Sequence, residues 1–303
     1  MTEEDSAEYG RLLHRSFNSW YAARGWPQDY FSCSPQDVEI FFQVYNDLSP
    51  GCNFAAVHRN SGVLMGGCFY HPRETHMSLG IMSVSPDHFG NGVGRALVEA
   101  IAGECQKQGY DSLRLVGSAM NMDSFSLYNR SGFVPRDSFN DMVVPVPATG
   151  IGKTVRGHNR VRPARREDIN ELARVEESTS GVKRKQDYAY AIKNPRGLFH
   201  LSVYENDGGG LDGFLMSCRH PALNMIGPGM ASTQTIAIAL IMVELDRFRG
   251  MSPLILIPMR KRKIVEALYD LGGRNVETHL LQVRGPFRAM RGVNIPSFLP
   301  ETG

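Results

Sequence analysis

Between Met82 and Ile101 the sequence reads MSVSPDHFGNGVGRALVEAI. A strand pattern ends at Val84, a short loop carries Gly90, Gly92 and Gly94, and a helix pattern starts at once. Backbone N–H groups at a helix start have no intrahelical partner, and the helix dipole favours negative charge there. Glycines let the backbone curl around an anion and adopt positive φ. The turn is therefore expected to hold a phosphate or pyrophosphate. A Walker loop, GxxxxGK[ST], is absent. The Rossmann pattern GxGxxG is broken by Arg95, and the strand here closes a meander where a Rossmann strand would open a βαβ unit.

The surroundings predict a mixed α/β order. Strand patterns cover 53–59, 63–71 and 76–84, with an Asn-Ser-Gly turn at 60–62. A helix over 94–109 ends at Gly109, a strand follows at 112–118, a short helix at 122–132, and strand sequence runs on through FVPRDSFNDMVVPV. Residues 145–160, PVPATGIGKTVRGHNR, lack apolar periodicity and read as a seam. Beyond the seam the outline returns. A candidate strand NRVRPA precedes a helix at 167–178. Strands HLSVYEN and DGFLMSCR follow, then a helix at 232–249, strand PLILIP, a helix at 260–271 and strand HLLQVRG. EEDSAEYGRLL from Glu3 matches REDINELARVE from Arg166, each placing an Asp where a helix N-cap belongs, and LYNRSGF (127–133) matches LYDLGGR (268–274). The order of these matches implies a degenerate tandem repeat. The expected domains are 1–147 and 161–303, joined by a linker at 148–160.

A chain of 303 residues has room for two such domains. Its 33 Lys and Arg against 31 Asp and Glu give no basic excess of the kind a nucleic-acid binder shows. The cysteines at 33, 52, 68, 105 and 218 make no CxxC or Cys/His spacing, so reduced thiols in a cytoplasmic protein are expected and no metal site. No signal peptide is recognised, and the longest apolar stretch, ALIMVEL, is far too short to span a membrane.

The pattern V-x-P-x6-G-x-G before a helix, then a strand, then N-x6-Y-x3-GF, resembles the core of GNAT-type N-acetyltransferases. Val84, Pro86, Gly92, Gly94, Asn121, Tyr128, Gly132 and Phe133 carry the match. The resemblance covers about residues 3–145. It implies two tandem GNAT-like domains, each a mixed central sheet flanked by helices, with the intact copy first. It also implies an acetyl-CoA-dependent acyltransferase. Pantetheine would lie against Met82, Ser83 and Val84, and the pyrophosphate on Phe89, Gly90, Asn91, Gly92, Val93, Gly94 and Arg95. Asn121, Ser124 and Tyr128 would complete the cofactor site, and Tyr128 would give a proton to the departing thiolate. The family usually has Arg or Gln where this chain has Phe89.

The resemblance implies direct attack by an amine, and that amine needs a base. Relatives often carry a Glu in the strand before the loop, but SLGIMSV has no carboxylate. The nearest titratable groups are Glu74 and His76, read as catalytic candidates, and His71, placed near the acceptor. Trp20, Tyr21, Trp26, Tyr30 and Phe31 crowd twelve positions and are expected either to wall the acceptor or to form a small satellite core. In the second half, IGPGMASTQTIAIAL stands for the glycine loop, Pro228 removes a donor, and Tyr269 occupies the place of Tyr128. That half is expected to be non-catalytic and to cover the acceptor cleft. A small-molecule amine acceptor is the leading expectation. A CoA-binding sensor without turnover, and an acetyltransferase of protein lysines or N-termini, remain as alternatives.

Overall fold

The computed structural model describes residues 1–300. The first half runs α1 (Ser6–Ala22), α2 (Pro35–Leu48), β1 (Asn53–Val57), β2 (Leu64–Pro72), β3 (Met77–Val84), α3 (Val93–Lys107), β4 (Leu113–Ser118), α4 (Met122–Arg130) and β5 (Val134–Val143). The second begins with a short β6 (Val161–Pro163) and then repeats that order. Its elements are α5 (Ile169–Ser180), α6 (Lys185–Lys193), β7 (Phe199–Glu205), β8 (Leu211–His220), β9 (Leu223–Ala231), α7 (Gln234–Leu245), β10 (Leu254–Pro258), α8 (Arg262–Tyr269) and β11 (Arg274–Arg284). A short β12 (Val293–Ile295) follows. Among the described residues no helix is long and apolar enough to cross a membrane.

The paired Asp signals prove equivalent, with a correction to their role. Neither side chain caps its α-helix. Asp5 accepts from the backbone N–H of Thr2 and Asp168 from that of Arg165, each at 2.7 Å, closing a 3₁₀ turn that leads into the helix. Helix α2 starts at Ser34, whose hydroxyl and backbone N–H form a reciprocal capping box with Asp37, with Pro35 at the first helical position. The strand β6 has no counterpart before α1, so β1 stays an edge of the sheet.

All the strands join one mixed sheet, in the order β1-β2-β3-β4-β11-β5-β10-β9-β8-β7-β6, with β12 paired to β9. The halves exchange their last long strands. β11 pairs with β4 from His279↔Ser118 to Arg284↔Leu113, and β5 pairs with β10 from Leu254↔Val143 to Pro258↔Phe139. β5 and β11 run antiparallel to each other at the centre. The linker thus separates two copies in the chain, while the sheet interleaves them.

The core is also shared. Tyr9, Leu13, Phe42, Tyr45 and Phe69 of the first copy form one apolar cluster with Tyr188, Phe214 and Met216 of the second and with Leu299. Full burial of each such side chain contributes about 1.5–3 kcal/mol. Tyr45 satisfies its hydroxyl on the carbonyl of Phe298 at 2.5 Å. Beside this cluster the β2–β3 turn docks on the start of α6. Arg73 grips Asp187 through Nε–Oδ2 at 3.0 Å and Nη2–Oδ1 at 2.9 Å, both side chains essentially inaccessible. Arg184 and Tyr188 likewise hold the buried Glu176.

A cleft between two parallel strands

Strands β3 and β4 pair in parallel at only two positions, Met77↔Leu113 and Ser78↔Arg114, and then diverge. A bulge in β3 starts the divergence: Gly80 and Ile81 together oppose Phe69 of β2. Such a bulge bends the strand and increases its local twist. Gly80 is needed there, because a Cβ would lie 2.7 Å from Nε2 of His71.

The opening is a cavity of about 730 Å³, within the usual range for ligand pockets. Leu79–Val84 line one wall and Leu115–Ser118 the other. The glycine loop lies along the same cavity, and Asn121, Ser124 and Tyr128 contribute from the α4 side. Helix α1 fixes the end of β3 and the loop: Ser16 donates to the carbonyl of Val84 at 2.8 Å, and Arg15 makes two hydrogen bonds to Asp87 at 2.7 and 2.8 Å.

In the loop, Gly90 has φ 78° and Gly92 φ 79°, and nothing lies within 4 Å of where either Cβ would be. Gly92 is the left-handed N-cap of α3, and the N–H of Ala96 bonds its carbonyl at 3.0 Å. The amides of Val93, Gly94 and Arg95 precede that bond and lack a helix partner. Phe89 lines the cavity and is 46% exposed, so no polar side chain closes the loop from that position. Asn91 sits in the loop but does not line the cavity. Gly94 has ordinary φ and room for a methyl group at 3.4 Å from Leu127. Gly92→Ala is therefore expected to strain the turn and destabilise the protein by about 1–2 kcal/mol, while Gly94→Ala changes stability little. Urea unfolding of both variants checks this.

Tyr128 is buried, 8% exposed, and its ring meets Phe133 edge-on with centroids 5.8 Å apart. Asn121 accepts from the N–H of Ser124 at 3.0 Å, so it caps α4 and fixes the helix that carries the tyrosine. Beyond Tyr128 the walls become aromatic. Trp20, Tyr21, Tyr30 and Phe31 all line the cavity, with Tyr21 and Tyr30 stacked at 4.5 Å. Trp26 packs on Tyr21 at 5.3 Å and is not part of the lining.

The sequence candidates for the base lie elsewhere. Glu74 and His76 are in the β2–β3 turn, at the far end of β3 from the glycine loop. Glu74 accepts from the N–H of Lys185 at 3.1 Å. His76 is buried between Thr75 and Ser78, and burial together with Arg114, Arg73 and Arg184 drives its pKa well below the ordinary value. His71 is buried edge-on to Tyr45 at 4.6 Å, and burial, then Arg73, lowers its pKa in the same way. None of the three lines the cleft. Glu74 contacts the second copy at Lys185, while His71 is held by Tyr45 and Ser49 and His76 by Thr75 and Ser78, all of the first copy.

The exchanged strands bring His279 to the cleft, with Asp141 and Glu277 beside it. His279 of β11 lines the cavity, and its Nδ1 is 2.6 Å from Oδ2 of the buried Asp141 of β5. Glu277 pairs with Asp141 across the two strands and accepts hydrogen bonds from Tyr21 at 2.8 Å and from Ser118. Burial by itself lowers the pKa of His279, but the hydrogen bond and charge of Asp141, with the charge of Glu277, outweigh it and leave the pKa raised. The only sequence signal for them was Glu-x-His on one face of a strand. Leu223 and Phe298 of the second half also line the cavity.

The corresponding gap in the second copy is filled by the chain itself. β9 and β10 pair only at Leu254↔Met225 and Ile255↔Ile226, but β12 then lies along β9, from Val293↔Ala231 to Ile295↔Gly229. A Cβ on Gly227 would lie 2.5 Å from the carbonyl oxygen of Pro296. The glycines read as a loop, Gly227 and Gly229, are inside β9. Only Ser232 and Thr233 connect it to α7, and Thr233 caps that helix with its own hydroxyl. Tyr269 is 49% exposed.

Residues 19–133 match the Acetyltransferase (GNAT) family. The chain carries a GNAT-family domain there. Its fold is similar to that of a putative acetyltransferase from Pyrococcus horikoshii, with TM-score 0.75 at 16% identity over 99% of this chain and 93% of that one. It is similar to a GCN5-related N-acetyltransferase from Sphaerobacter thermophilus, with TM-score 0.62 at 16% identity over 95% of each chain. It also resembles a tandem GNAT protein from the clavulanic acid biosynthesis pathway, with TM-score 0.60 at 13% identity over 94% of this chain and 97% of that one. No curated protein sequence matches. The match of residues 19–133 supports acyl transfer as an activity of the first copy.

Proposed function

We propose that the protein transfers an acetyl group from acetyl-CoA to the amine of a small molecule, using the cleft of the first copy. The observation that carries this is the continuity of three features along one cavity: the opened β3–β4 gap, the amide-lined turn before α3, and Tyr128. The gap supports a pantetheine arm. Its wall offers backbone groups of Met82–Val84, released from pairing with β4, and the hydroxyl of Ser83, which is buried with no hydrogen-bond partner among the described residues. The turn supports a pyrophosphate on the amides of Val93, Gly94 and Arg95. An adjoining cavity of about 660 Å³ bears Arg95, Arg130 and Arg284, which suits the remaining phosphate of CoA.

Acetyl-CoA supplies the acetyl group as a thioester. Tyr128 holds a phenolic proton at the wall of the gap, where it can pass to the departing sulfur. The aromatic walls and the second copy exclude water from the attack. An acceptor ammonium of pKa ~10 must first lose its proton, which costs about 4 kcal/mol at pH 7, so a base lowers the barrier substantially. The aromatic lining, with Leu223 and Phe298 of the second half beside it, favours a small acceptor over a protein chain.

Thiol release from acetyl-CoA, followed across a panel of amines, tests the reading. Turnover with at least one small amine is expected. Tight CoA binding with no turnover on any amine would replace it with a sensor. Failure of the pure protein to bind CoA at all would remove both.

A further inference from the structure

We propose that His279, held by Asp141, is the general base for the acceptor amine, and that the acceptor is a primary ammonium carried on an apolar body. This rests on the acetyl-transfer reading above and adds to it the residue that activates the acceptor and the acceptor's chemical class.

The geometry comes from the strand exchange. Asp141 on β5, Glu277 and His279 on β11 bring ligand atoms within 4.8 Å of one another, at the place where β4, β11 and β5 lie side by side. His279 is opposite Ser118, next to Gly117 on β4, and a Cβ on Gly117 would be 3.6 Å from the ring of Tyr128. Side chains alternate faces along a strand, so the histidine and the tyrosine reach the same cavity from opposite faces of β4, across the β3–β4 opening. Nδ1 lies 2.6 Å from Asp141, so the proton transfer is given to the other ring nitrogen, Nε2. The groups around His279 are Asp141 from β5, Glu277 from its own strand, Ser118 from β4, Tyr21 from α1 through Glu277, and the ring of Phe298 at 4.9 Å. Two carboxylates and no cation face it within this set, which attracts an ammonium. Tyr21, Tyr30, Phe31 and Phe298 supply an apolar and aromatic seat for the rest of the molecule and favourable ring faces for a cation.

In the proposed step Nε2 of neutral His279 takes a proton from the ammonium. The amine lone pair then forms the C–N bond at the thioester carbonyl. The C–S bond breaks with its electron pair going to sulfur, sulfur takes the proton of Tyr128, and the second proton of the acylated nitrogen returns to the Tyr128 phenolate, leaving a neutral amide and a free thiol. Asp141 stabilises the imidazolium that results. It acts through His279, as a positioning residue. Because His279 works only when neutral and its pKa is raised, the rate should fall as the pH drops through a midpoint above the ordinary histidine value. Without the Asp141 charge, burial should dominate and that midpoint should move to lower pH.

The test is kcat/KM against pH for the intact protein, His279→Gln and Asp141→Asn, with CoA affinity and circular dichroism measured on each. His279→Gln should lose roughly 100-fold in kcat/KM at neutral pH, lose the acid limb, and recover as the pH approaches the pKa of the amine, with CoA affinity unchanged. Asp141→Asn should keep an acid limb displaced to lower pH. Among acceptors, arylalkyl and alkyl primary amines should be preferred to acidic amino acids of similar size. If the intact protein acetylates an amine but His279→Gln, folded and binding CoA, keeps its rate and pH profile, the base assignment is wrong. A preference for anionic acceptors would overturn the acceptor class. If the intact protein acetylates nothing, the failure lies in the acetyl-transfer reading itself.

Discussion

Replacing Tyr128 by Phe should lower kcat by at least about 100-fold, the usual scale of general acid catalysis, while the Kd for acetyl-CoA changes less than about threefold, below the tenfold that 1.4 kcal/mol would give. The ring is buried against Phe133, and phenylalanine keeps that packing. What the variant loses is the hydroxyl. A thiolate leaving without a proton must depart as an anion inside an apolar gap, where charge is poorly solvated. Stopped-flow thiol release separates the chemical step from binding. A parallel loss of binding and rate would mean that the hydroxyl supports the fold of α4. An unchanged kcat would mean that water or another group protonates the sulfur.

The second large effect concerns stability. Asp187→Ala should destabilise the protein by about 3–5 kcal/mol, because Arg73 is left buried beside His71 and His76 without its counter-charge. The urea midpoint should fall accordingly. The double variant Arg73→Met with Asp187→Leu removes both charges and should recover most of the loss. An exposed pair such as Arg262 and Glu266, with side chains 87% and 52% accessible, should by contrast be worth well under 1 kcal/mol. A loss for Asp187→Ala no larger than that surface value would mean that the turn of β2–β3 is not clamped to α6. The comparison also tests the reassignment of Glu74 and His76, since that turn then serves the contact between copies and not the chemistry.

What could be read from the sequence was local. The turn from Val84 to Arg95 states itself through glycine spacing, because positive φ at Gly90 and Gly92 is a property of those residues. Tyr128 is legible because α4 is short and ends in a fixed pattern at Gly132. Helix α2 is absent from the sequence reading although Ser34, Pro35 and Asp37 spell its start, because the aromatic run just before it has the composition of a loop wall or satellite core as much as of a helix approach. The strand exchange is of another kind. β5 and β11 each present ordinary strand sequence, and nothing in either tells which neighbour it will join. His279 and Asp141 lie 138 residues apart and meet only because both strands cross over. For the same reason the filling of the second gap by β12 could not be foreseen, although its result, a copy without a cofactor cleft, was visible in Pro228 and in the absent loop.

The central claim is that CoA binds between β3 and β4 of the first copy. A crystal structure of the chain with CoA tests it most directly. The sulfur is expected between Met82 and Gly117, within about 3.5 Å of the Tyr128 hydroxyl, with the pyrophosphate on the amides of Val93, Gly94 and Arg95 and β12 still in place along β9. CoA lodged between β9 and β10 with β12 displaced, or bound outside the β3–β4 gap, would contradict it.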